Sequence, residues 1–159
     1  MRFLPIVATA IAAVLVSTFS ATPSHAANVF KQLAGTWSGS GNVRFSNGKR
    51  ERLKCRAYYT KKGASGLGLA IRCASSSNKI HMRGVLRGGG SVVSGTWEER
   101  TFNAGGSVSG KATGSSLRLA IRGTISGSLS ISVKGKRHSV HISTGASDLK
   151  GVSLSFRRR

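Results

Sequence analysis

The chain has 159 residues, of which 25 are lysine or arginine and only four are acidic, a formal charge of +21. So few carboxylates leave little for paired-acid catalysis or an oxygen-ligated metal centre to draw on. A surface of this sign attracts polyanions instead.

Residues 1–26, "MRFLPIVATAIAAVLVSTFSATPSHA", hold one arginine, an apolar run from Phe3 to Val16, and Ser24-His25-Ala26 in the small-x-small pattern that signal peptidase cuts. The apolar run is shorter than the roughly 20 residues a transmembrane helix needs, so a cleaved export signal is expected rather than an anchor. The mature chain is then a single domain over residues 27–159, periplasmic or secreted. Removing Arg2 with the leader leaves 24 basic against four acidic residues, a formal charge of +20. Export argues against a genome-binding role. With Tyr58 among its cations, the basic surface nearly lacks the interleaved aromatics of a single-strand binder, so nucleic acid is not an expected partner.

Only residues 28–34 offer a helical pattern. From Thr36 onward the sequence alternates with period two, and ten strands are predicted over 36–45, 49–60, 67–74, 79–87, 91–102, 107–113, 117–123, 128–134, 138–143 and 150–157. The connections are short and rich in Gly, Ser and Asn, which forces antiparallel neighbours. If Val43 and Phe45 share the core with Leu53 and Cys55, face parity requires a three-residue Ser46-Asn47-Gly48 loop, with Gly48 in the left-handed position. In the next hairpin a Lys62–Gly66 loop pairs Tyr59 with Leu69 and sets Cys55 directly opposite Cys73. Directly opposed residues lie within disulfide reach, and an isolated cysteine pair in an exported chain predicts one bridge. A Gly89-Gly90 turn further on would place Trp97 opposite Met82 and Glu99 opposite Ile80.

Ten strands sharing one apolar face must wrap it around a common centre, so the predicted fold is an all-β, up-and-down antiparallel meander closed into a barrel, with a short N-terminal helix or turn and a two-sheet sandwich as the alternative. A membrane-spanning barrel is disfavoured by strands mostly of six to nine residues and by few aromatics for interfacial girdles.

Adjacent strand residues project to opposite faces. Glu98 therefore points outward beside Arg100, while Glu99 points inward with Val93 and Trp97, and the two cannot act as an acid–base pair. His138 and His141 likewise face opposite ways, which leaves no metal site. There is no Gly-x-Ser-x-Gly elbow and, once the disulfide forms, no thiol nucleophile. Neither catalysis nor a cofactor is expected. Two sets of candidate binding residues remain. Trp37, Tyr59, Met82, Trp97 and Glu99 line the predicted interior, where small residues such as Gly39, Gly41, Gly84 and Gly95 leave room for packed indoles or for a ligand. Arg44, Lys54, Arg56, Arg83, Arg87, Arg118 and Arg122 form an outward cationic set suited to phosphate or carboxylate groups.

The stretch "LAGTWSGSG" followed by a meander resembles the Gly-x-Trp opening of lipocalin-like calycin barrels, which implies a small apolar ligand. The fuller set "LAGTWSGSG", "ERLKCRAYY", "LAIRCASSS", "SGTWEE" and "GSVSG" is similar to small exported single-disulfide proteins of rhizobia and related bacteria. That likeness implies export and one disulfide but no activity. Together these readings predict a non-enzymatic, exported, lipocalin-like binding protein for a small apolar or amphipathic ligand at the cell envelope. The alternative is a cationic adaptor for anionic envelope glycans, lipid headgroups or a protein partner, including a protease-inhibitor-like role.

Overall fold

The computed structural model describes residues 24–145 and 148–159; all but the last three residues of the predicted leader lie outside these. One helix, α1 (His25–Leu33), precedes ten strands: β1 (Gly35–Phe45), β2 (Arg50–Lys62), β3 (Gly66–Ala74), β4 (Lys79–Gly89), β5 (Val92–Glu99), β6 (Ala104–Thr113), β7 (Ser116–Gly123), β8 (Gly127–Lys134), β9 (Arg137–Thr144) and β10 (Leu149–Arg158). Each strand pairs antiparallel with its chain neighbours, and β10 returns to β1, so the sheet closes into a barrel. Closure removes the open edges that ten alternating strands would otherwise present.

The first two hairpins follow face parity. Gly39 pairs with Cys55 across a Ser46–Gly48 loop whose Gly48 takes φ +82°. Tyr59 pairs with Leu69 and Cys55 with Cys73, and the two sulfurs are bonded with their Cα atoms 4.1 Å apart. The β4–β5 register differs from expectation by two residues. The turn uses Gly90 (φ +59°) and Ser91, so Trp97 lies opposite Gly84 rather than Met82, and Glu99 opposite Met82 rather than Ile80. β5 also stops at Glu99, short of residue 102, and the next strand begins at Ala104.

The helix starts where Ser24 caps it by accepting from the Ala27 amide, and it places Ala26, Val29, Phe30 and Leu33 on one buried stripe at helical spacing. This stripe seals one end of the barrel. The Ala26 amide donates to the Gly90 carbonyl at 3.1 Å, the Ser24 hydroxyl donates to the same oxygen at 2.7 Å, and Gly88 lies beneath Ala26 and Phe30 with no side chain to hold them off. Among the described residues, no helix is long and apolar enough to cross a membrane.

Candidate ligand-binding site

The interior divides into two zones. In the zone beneath α1, Leu67, Leu86, Val93, Val108, Ala112 and Leu117 are all buried. Trp37 and Tyr59 belong here and meet a residue the sequence reading gave no role, His138. The Tyr59 hydroxyl lies 3.1 Å from His138 Nε2, and burial raises the Tyr59 pKa, which keeps this hydroxyl protonated. The His138 ring stacks on Phe156 at 4.6 Å between centroids and receives Trp37 edge-on at 4.5 Å. Burial, and then the charge of Arg158, lower the His138 pKa to about 4, so the imidazole is neutral at physiological pH. Trp37 Nε1 donates to the Leu33 carbonyl at 2.7 Å, and Arg158 lies 4.4 Å over the Trp37 ring while donating to the Ala34 and Gln32 carbonyls at the C-terminal end of α1. A cation is favoured at that end of a helix. Helix, first strand and last strand are thus fastened by one cluster. His138 shares the parity of Val140 and Ile142, both inward; its polarity concealed its part in the core.

The second zone is different. On β3–β5 the inward side chains Leu69, Ile71, Ile80, Met82 and Trp97 are only half-buried, and on β8–β10 so are Leu129, Ile142, Leu149 and Val152. These walls face each other across the ten-strand ring. These half-buried side chains contrast with the fully buried set beneath α1, and their accessible surface lies within the barrel or at its open mouth. Trp97 brings a polar handle, because its Nε1 is buried with no hydrogen-bond partner. A buried donor left unpaired costs about 1–3 kcal/mol, which an acceptor arriving on a ligand would recover.

The inward carboxylates sit at the end of the barrel away from α1, and both are engaged by turns. Burial raises the Glu99 pKa, but amides of His81, Phe102 and Thr101 outweigh it and hold the group below the usual carboxylate range; the His81 and Phe102 amides donate to its two oxygens, each at 2.7 Å. Glu51, which parity also places inward, receives the Ser77 hydroxyl at 2.7 and 2.6 Å. Hydrogen bonds from Ser75 and Ser77, and then Lys49 at 3.0 Å, bring its pKa to about 2. Glu98 points outward and pairs with Arg100 at 3.4 Å. Arg44, Lys54, Arg56, Arg83, Arg87, Arg118 and Arg122 are all exposed on the outer face. No group of three or more metal-ligating side chains occurs among the described residues.

No family model matches the sequence, and neither does any curated protein. Solved structures do share the fold. The crystal structure of Rv2717c from M. tuberculosis is 14% identical with TM-score 0.67, over 84% of this chain and 97% of that one. The S-type phycobiliprotein lyase CPES from Guillardia theta is 12% identical with TM-score 0.58, over 82% and 90%. The redesigned β-barrel mFAP1, bound to DFHBI, is 12% identical with TM-score 0.52, over 82% and 99%. The chain therefore shares a fold with these structures, its own being a closed ten-strand antiparallel barrel, at identities that establish the fold alone.

Proposed function

We propose that this is an exported, non-enzymatic binding barrel for a small apolar or amphipathic ligand, held in the half of the interior away from α1. The observation that carries this reading is the pair of facing walls, Leu69, Ile71, Met82 and Trp97 against Leu129 and Ile142, which are apolar, directed inward and only half-buried. Trp97 Nε1 supplies one directional donor, and apolar walls with few polar groups are the usual make-up of a ligand pocket. The similar barrel mFAP1 is bound to the small molecule DFHBI, which supports a small-ligand role for a barrel of this architecture. Export is supported by the Cys55–Cys73 disulfide, which belongs in an oxidising compartment, together with the leader expected over residues 1–26.

Protein purified from its own host and examined by native mass spectrometry should carry a bound molecule of a few hundred daltons. The neutral dye N-phenyl-1-naphthylamine should bind saturably at one site and quench Trp97, and Leu129→Arg should abolish this while leaving the far-ultraviolet circular dichroism intact. A protein that arrives empty and takes up no dye would refute the reading.

A further inference from the structure

The barrel registers assemble the outward cations into an order that the linear sequence does not show. Lys134 pairs with Arg137, Arg137 with Arg157, Arg157 with Ser38, Ser38 with Arg56, Arg56 with Arg72 and Arg72 with His81. The row crosses seven strands, β8–β9–β10–β1–β2–β3–β4. At about 4.8 Å per strand it forms an arc of roughly 29 Å. Three of its steps set like charges directly opposite one another, an arrangement that destabilises a sheet. Among the described residues the ion pairs are Lys49 with Glu51 and Arg100 with Glu98, so the row's lysine and arginines have no anionic side-chain partner. Repulsion built into one line and left unneutralised suits a line of negative charge supplied from outside.

The next row identifies that partner more closely. Ser132 pairs with Ser139, Ser139 with Ser155, Ser155 with Ser40 and Ser40 with Lys54. Short hydroxyl side chains therefore lie alongside the cations over β8, β9, β10 and β1. Two shallow outer grooves, of about 560 and 500 Å³, follow these rows and share Ser38 and Gly39. A bed of hydroxyls beside a rail of guanidiniums matches a ligand that is itself rich in hydroxyls and charged at intervals. A nucleic-acid strand would call for several stacking aromatics, and a bilayer for an apolar face; the row and its serine neighbour contain neither, and a single exposed tyrosine, Tyr58, lines one of the grooves beside them.

We propose that the outer face of β8–β9–β10–β1–β2–β3 binds a linear acidic polysaccharide, with the row Lys134–Arg137–Arg157–Arg56–Arg72 holding its carboxylate or phosphate groups and the serine row hydrogen-bonding its sugar hydroxyls. This surface is separate from the barrel interior and stands whether or not the interior holds a ligand.

Titration of the full mature protein with an oligogalacturonate of about ten residues, followed by calorimetry in low and high salt, tests it. Binding should weaken as salt rises, and a neutral maltodextrin of equal length should not bind. Replacing Arg56, Arg137 and Arg157 by Ser should weaken oligogalacturonate binding about tenfold or more, because charge-assisted contacts are lost. Lys31, Lys62 and Lys111 replaced by Ser, which removes equal charge from α1 and from sites off the row, should change it by less than about twofold. Ser139→Val with Ser155→Val should weaken oligogalacturonate but leave inorganic polyphosphate binding unchanged. Thermal melts establish that each variant is folded. Equal losses in the two triple variants would show diffuse charge attraction and overturn the proposal. So would tighter binding to phosphatidylglycerol vesicles or to an oligodeoxynucleotide than to the glycan.

Discussion

His138 shows how one buried polar ring is tied to the stability of the molecule. It is 3% exposed, stacked on Phe156 and met edge-on by Trp37 and Tyr59, and its Nδ1 has no partner. Its folded pKa, about 4, lies below the ordinary 6.5, so the folded state disfavours the proton that the unfolded chain accepts. The stabilising contribution is complete above about pH 6.5 and is lost as pH falls toward about 4. Urea unfolding measured across this window should show a loss on the order of 3 kcal/mol, and His138→Phe should flatten the profile. A curve as steep in the variant as in the parent would show that other groups titrate. The sequence marked the face on which His138 lies but not its importance, because alternation gives direction and says nothing about which inward residues touch. The same limit applies to Glu51, inward by parity with Leu53, and to Glu99: sequence placed Glu99 inside without revealing that its oxygens close a turn.

At the scale of elements, the register of β1 to β3 was readable because a slip of one residue would have turned arginines into the core and separated the cysteines. The β4–β5 hairpin was not readable in the same way. Gly88-Gly89-Gly90 offers neighbouring turns that differ by two in register, and both keep every side chain on its correct face, so alternation cannot choose between them. Bulk can: the observed pairing sets the Trp97 indole against Gly84 and leaves Gly88 free under α1. The helix itself runs further back than its apolar pattern suggested, and the predicted cleavage point after Ala26 falls inside it. Processing there would remove the Ser24 cap and the Ala26 contacts. A chain beginning at Ser24 should be more stable to urea than one beginning at Ala27 by about 1 kcal/mol or more, the worth of an N-cap. Gly88→Val, whose side chain would collide with Ala26, should erase most of that difference; if it persists, α1 does not dock as described.

For the whole molecule, barrel closure was legible and the shape of the interior was not. Ten alternating strands with no way to shield an edge point to a ring, whereas the space left inside depends on which large side chain meets which glycine. Ring closure itself rests on close backbone approach. A side chain on Gly39 would strike the Ser155 carbonyl and, at 2.7 Å, the Phe156 ring. Gly39→Val should therefore prise β1 from β10, seen as a larger hydrodynamic radius and rapid proteolysis of the last strand; a variant of native size would show that the ring tolerates the added bulk.

Nine of the ten strand pairings join chain neighbours, and one joins the two ends of the sheet. Without β10 the sheet would be a ribbon with two open margins, and the β1–β10 pairing is what makes it a tube. A ring of this kind has no privileged starting strand: joining the region after Arg158 to α1 by a linker and opening the Gly135 hairpin instead should give the same tube from a differently numbered ribbon, with the long-range pairing moved to a new place.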